Sequence, residues 1–78
     1  MNDVATKLDL KGLKCPLPVL KTKKAMRSLE PGDFIALETT DPLAVIDIPA
    51  FCNENGHDLV ESNEFDWGHS FVLKKGDT

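Results

Sequence analysis

The sequence predicts an α+β protein, a two-layer α/β sandwich in which a four-stranded mixed sheet carries both helices on one face. Three observations lead there. The chain has 78 residues, 41% of them apolar and 28% charged, the composition of an ordinary globular domain with one core and no room for a second. Its hydrophobic periodicity switches between two and about 3.6 residues in the order βαβαββ. Two helices cannot cover both faces of such a sheet, so they share one. The expected organisation is a single domain over residues 1–78.

Residues Thr6 to Leu10 alternate polar and apolar through Leu8 and Leu10, a strand signal that ends at Lys11-Gly12. Leu13 to Pro18 forms a short connection. A run free of Gly and Pro then extends from Val19 to Glu30 and stops at Pro31-Gly32. It reads as a helix, and the prolines at its start are tolerated because first-turn N–H groups have no partner inside the helix. Asp33 to Thr40 is a second strand, left through Thr40-Asp41-Pro42. Asp47-Ile48-Pro49 reads as an N-cap and a first-turn proline opening a short helix that closes near Asn55-Gly56. Pro49 argues against one continuous helix from Leu43. His57 to Asn63 and Ser70 to Lys75 are two more strands, joined as a hairpin through Phe65-Asp66-Trp67-Gly68. The expected core is Leu8, Leu10, Val19, Met26, Leu29, Ile35, Leu37, Phe51, Leu59, Phe71 and Leu73.

The net charge of −4 excludes phosphate neutralisation as the main activity of the whole surface. Charge is nevertheless segregated: residues 1–29 hold seven cations against two carboxylates, and residues 30–78 hold Lys74 and Lys75 against eleven. The first third therefore presents a basic face suited to an acidic partner. No apolar run approaches a membrane span, and the N-terminus lacks an apolar signal core, so a cytoplasmic protein without membrane association is expected. In that compartment two cysteines are thiols in preference to a structural disulfide.

On a helical wheel Val19, Thr22, Ala25, Met26 and Leu29 share one side, which is the buried stripe. Lys21, Lys23, Lys24 and Arg27 occupy the opposite half, with Leu17 and Leu20 among them. Two leucines ringed by cations beside a cysteine read either as ordinary exposed apolar surface or as a docking patch for a partner with an acidic-rimmed apolar groove.

Cys15 stands at the mouth of this helix, where free N–H groups and the macrodipole favour an anion. The dipole is worth about 0.3 to 1 kcal/mol at an exposed site, which predicts a modestly lowered thiol pKa, with Lys11 and Lys14 adding a little. Pro16 and Pro18 remove two donors from the helix start and bias Cys15 and Leu17 toward extended backbone, stiffening the approach. A stiff approach would hold the sulfur outward, which suits passing an atom between proteins.

Residues Gly12-Leu13-Lys14-Cys15-Pro16-Leu17-Pro18-Val19 resemble the Cys-Pro-x-Pro signature of the TusA/SirA-like sulfur-carrier proteins, in the place between first strand and first helix where that family has it. Asp41-Pro42, Asp47-Ile48-Pro49 and Phe51-Cys52 match the family's second block, so the resemblance covers nearly the whole chain. It implies a sulfurtransferase whose Cys15 accepts sulfane sulfur from a cysteine desulfurase as a persulfide and relays it to downstream proteins. In the best-known members the destination is 2-thiouridine in tRNA, and in related ones sulfur oxidation, molybdenum-cofactor or selenium metabolism. By position, Gly12, Pro16 and Pro18 shape the loop. Lys14, Leu17, Leu20, Lys21, Lys23, Lys24 and Arg27 form the expected partner face of a monomer that needs no cofactor.

Sulfur transfer of this kind is thiolate attack on a sulfane sulfur and requires one accessible cysteine, with no metal or nucleotide. Cys52 is expected to be a small buried hydrophobe, a resolving role being open only within bonding distance of Cys15. A thioredoxin-like motif fails because position 18 is proline. A zinc site would have to draw on Cys15, Cys52, His57 and His69, which lack knuckle spacing, and the two histidines read as strand-end surface residues. Stable nucleic-acid binding is disfavoured by the charge total and by the absence of tyrosine and of an aromatic platform. A regulatory module without chemistry would share the docking face but have no use for Cys15.

Overall fold

The structure, a computed structural model, describes residues 4–76. The elements are β1 (Val4–Leu10), α1 (Leu17–Met26), β2 (Phe34–Thr39), α2 (Ala44–Asn55), β3 (Asp58–Phe65) and β4 (Gly68–Lys74), the βαβαββ order read from the sequence. The four-stranded sheet runs β1-β2-β4-β3. The β1/β2 pair is parallel, with Leu8 opposite Leu37, and so requires the α1 crossover. The β2/β4 and β4/β3 pairs are antiparallel, and the sheet is mixed.

Strand alternation explains the two layers. Ile35, Leu37 and Thr39 of β2 and His69, Phe71 and Leu73 of β4 are buried, and the residues between them are half-exposed. The buried set meets Pro18, Thr22 and Met26 of α1 and Ala44, Ile48, Phe51 and Cys52 of α2. Both helices therefore lie on one face. Leu8 and Val19 pack against this core as partly buried residues. Leu59 does not belong to it: every residue of β3 is exposed, because β3 is the sheet edge and its register slips between Leu59 and Glu61. The hairpin turn holds only Asp66 and Trp67. Gly68 beyond it is obligatory, since a Cβ there would stand 2.1 Å from the Thr39 carbonyl oxygen.

Helix α2 departs from the sequence expectation by starting at Ala44 and containing Pro49. An interior proline costs about 3 kcal/mol or more. Burying Ile48 and Phe51, 0% and 5% exposed, returns about 1.5 to 3 kcal/mol each, and Ala44 and Cys52 add to it. Pro49 has no N–H to offer the Val45 carbonyl one turn back, and Val45 is itself an exposed residue. Asp41 supplies the start that the sequence assigned to Asp47: its Oδ1 accepts the Leu43 N–H at 3.0 Å and its carbonyl accepts the Ala44 N–H at 3.0 Å. The far end closes as expected, with Gly56 left-handed at φ 73°.

Helix α1 is shorter than the run free of Gly and Pro. It begins at Leu17, which is helical despite preceding Pro18, because the Leu17 N–H closes a turn onto the Lys14 carbonyl at 2.8 Å. It ends at Met26, where the Lys75 ammonium, arriving from the end of β4, donates to the carbonyls of Met26 at 2.7 Å and Leu29 at 2.5 Å. A cation on the terminal carbonyls of a helix offsets the negative end of its dipole. The tie spans 49 residues and leaves no local signal.

Candidate functional site around Cys15

The loop between β1 and α1 is fastened to the loop between β2 and α2. Gly12, at φ 85°, turns its N–H onto Thr40 Oγ1 at 2.9 Å. The Cys15 N–H donates to Asp41 Oδ2 at 2.5 Å. One carboxylate thus serves both sides, one oxygen starting α2 and the other holding the backbone of Cys15. The Cys15–Pro16 peptide is cis, and Pro16 occupies the N-cap position without a side-chain hydrogen bond. Pro18 is buried, and its carbonyl accepts the Thr22 hydroxyl at 2.8 Å, so this proline anchors the helix start in the core.

Cys15 is an exposed free thiol. Its Sγ donates to Asp47 Oδ2 at 2.7 Å, a contact the sequence reading missed because it gave Asp47 the work of an N-cap. The same contact corrects the electrostatic expectation. The Asp47 carboxylate, which accepts the thiol proton, holds Cys15 above the ordinary thiol range, and partial desolvation and the charges of Asp47 and Asp41 act in the same direction. The helix start offers little to oppose this: Pro16 and Pro18 carry no N–H, and the Leu17 N–H is already taken by Lys14. Asp41 itself is held below the usual carboxylate range by the N–H groups of Leu43 and Cys15 and by the charge of Lys14.

Cys52 is 3% exposed within the hydrophobic cluster, and burial pushes its thiol up to about 11. It is a core residue. His69, read as a surface residue, is buried at 9% exposure, facing inward from β4 with Nε2 3.9 Å from Glu64 Oε2. His57 is half-buried, and its Nδ1 accepts the Gly76 N–H at 3.0 Å. Among the described residues no three His, Cys, Asp or Glu side chains gather as metal ligands do, and no helix is long and apolar enough to cross a membrane.

The residues read as a partner face are on the surface. Leu17 and Leu20 are 44% and 53% exposed, and Lys14, Lys21, Lys23, Lys24 and Arg27 are all exposed. The structure adds Leu43 and Ile46 at 51% and 65%, beside Asp41 and Asp47 in the chain. Neither stands out in the sequence, where Asp47 reads as the start of α2, whereas the helix begins at Ala44. Between the helices runs a groove of about 370 Å³ whose walls include Cys15, Val19 and Leu20 on one side and Asp47, Ala50 and Glu54 on the other. An exposed sulfur at an apolar groove between two amphipathic helices can be reached by the reactive sulfur of another protein.

A family profile described as Sulfurtransferase TusA matches residues 6–75. The chain is 39% identical over 75 residues to Sulfur carrier protein TusA of Allochromatium vinosum, covering 96% of this chain and 99% of that protein. It is 42% identical over 69 residues to YrkI of Bacillus subtilis, covering 88% and 92% of the two chains. A crystal structure of a SirA-like protein from Desulfitobacterium hafniense superposes with a TM-score of 0.80 at 24% identity over 92% of this chain and 99% of that one, which establishes the common fold.

Proposed function

We propose that this chain, which belongs to the sulfurtransferase TusA family, is a sulfur carrier that takes sulfane sulfur from a cysteine desulfurase onto Cys15 as a persulfide. It then relays that sulfur to acceptor proteins, toward 2-thiouridine in tRNA. The observation that carries the reading is the contrast between the two thiols: Cys15 is exposed on a loop pinned by Asp41 and Thr40, and Cys52 is buried in the core.

The chemistry needs little else. The Cys15 thiolate attacks the terminal sulfur of the donor persulfide, a new S–S bond forms on Cys15, the donor's S–S bond breaks, and the donor cysteine leaves as a thiolate that takes up a proton. Leu17, Leu20, Leu43 and Ile46 supply apolar contact for the donor and acceptor, and the α1 cations Lys21, Lys23, Lys24 and Arg27 supply charge complementary to an acidic rim. Gly12, Pro16 and Pro18 set the loop that presents the sulfur.

Incubation with a cysteine desulfurase, its cofactor and cysteine, followed by intact mass measurement, tests the proposal. The expected result is a one-sulfur increment that reductant removes and that Cys15→Ser lacks. No increment with several desulfurases, together with salt-steep binding to tRNA in the absence of partners, would instead support direct RNA recognition.

A further inference from the structure

The groove at Cys15 is lined by side chains of both charge signs, but the charges acting on the sulfur itself are carboxylates. From α2, Asp47 accepts its proton at 2.7 Å and Glu54 lines the same groove. From the β2–α2 loop, Asp41 holds its backbone N–H. From α1 and the loop before it come Lys23, on the groove wall, and Lys14, which precedes Cys15 in the chain. The group in contact with the sulfur is a carboxylate, and it opposes formation of the very thiolate that exchange requires. A cation placed against that carboxylate would relieve the opposition.

We propose that Asp47 is a specificity-determining residue of Cys15: its carboxylate selects, for sulfur exchange, a reaction partner that presents a cationic group beside the sulfur–sulfur bond to be broken. The biological meaning rests on the sulfur-carrier reading, whereas the chemistry concerns the Cys15–Asp47 pair alone. When the partner's cation pairs with Asp47, the thiol proton passes to water and the Cys15 thiolate attacks the partner's terminal sulfur. The S–S bond of the partner breaks as the S–S bond on Cys15 forms, and the departing thiolate recovers a proton from water. One thiol and one persulfide become one persulfide and one thiol, with no net gain or loss of electrons.

Two alkylthiosulfonate reagents of matched size test this, one bearing a trimethylammonium head and the other a sulfonate. Each reacts with a thiolate to form a mixed disulfide and release a sulfinate, and intact mass of quenched samples gives the rates. Cys15→Ser identifies the site, and Glu61→Gln on β3 serves as a charge-matched control away from the groove. The wild-type protein is expected to react with the cationic reagent about three- to tenfold faster than with the anionic one, a preference that salt reduces. In Asp47→Asn and in Asp47→Ser that ratio falls at least about threefold, and Glu61→Gln retains it. A wild-type preference for the anionic reagent, or a ratio unchanged in both Asp47 variants, overturns the proposal. Absence of persulfide loading on the wild-type protein would reject the carrier reading and leave the charge ratio standing.

Discussion

The Cys15 thiol and the Asp47 carboxylate, 32 residues apart in the chain, meet at 2.7 Å across the gap between α1 and α2. A helix start that by itself favours an anion is thereby coupled to a second helix that favours the protonated sulfur. The contact outweighs the dipole here because a hydrogen bond to an ionised acceptor is stronger than the field of a helix end whose first two donors are engaged or missing, at Leu17 and Pro18.

Replacing Asp47 by Asn removes the charge that holds Cys15 above the ordinary thiol range. The Cys15 ionisation then moves to lower pH, and a neutral alkylating agent is expected to modify Cys15 severalfold faster at pH 7 than in the wild type. A pH profile of alkylation checks this, and a profile displaced to higher pH would contradict it. The linkage sign follows from a raised folded-state pKa: the contribution of the Cys15–Asp47 contact to stability is complete below the unfolded thiol pKa and disappears as pH rises through the folded value.

Asp41→Ala removes the acceptor for both the Leu43 and Cys15 N–H groups. The thermal midpoint is expected to drop by several degrees at neutral pH. Asp41 has a lowered folded-state pKa, so its stabilisation is present above about pH 4, the unfolded carboxylate range, and is lost as pH falls through the folded value. Thermal melts on descending pH should therefore bring wild type and variant together. A difference that stays constant into strong acid would assign the loss to something other than the ionised carboxylate.

Leu20→Ala should weaken binding to a desulfurase by about tenfold while changing stability by about 0.5 kcal/mol or less, because Leu20 is 53% exposed. Ile48→Ala is the opposite case. Its side chain is fully buried, and truncation should cost about 2 to 5 kcal/mol with little effect on binding by whatever fraction remains folded. Calorimetric titration and denaturant unfolding on the two variants separate surface from core.

Cys52, raised to about 11 by burial, predicts a loss of stability in alkali. Its contribution is intact below the unfolded thiol value near 8.5 and declines as pH rises toward the folded one. Cys52→Ala lowers stability near neutrality through lost packing, yet it should show a shallower decline between about pH 9 and 11 than the wild type. Parallel declines would mean that the thiol ionises without unfolding.

Much of this protein was legible from local pattern. The alternation around Ile35 and Leu37, the α1 stripe through Thr22 and Met26, the Gly56 stop and the two exposed leucines all depend on neighbours within a few residues, where periodicity speaks directly. The reading failed where distant groups intervened. Pro49 looked like a helix start because its cost is local, while the burial of Ala44 and Ile48 that outweighs it comes from packing into the shared core, where α2 meets α1 and β4. Leu59 looked like core because strand alternation does not say which strand will be the sheet edge.

The sequence alone determined the element order, the sandwich, the reactive candidate Cys15 and the separation of a basic helix from an acidic remainder, since each follows from residue type and spacing. Only the tertiary structure decided the chemical state of that cysteine. Asp41 and Asp47 reach it from a different loop and helix, brought there by the packing of α2 on the sheet, and a pKa answers to whatever lies within a few ångströms regardless of distance along the chain.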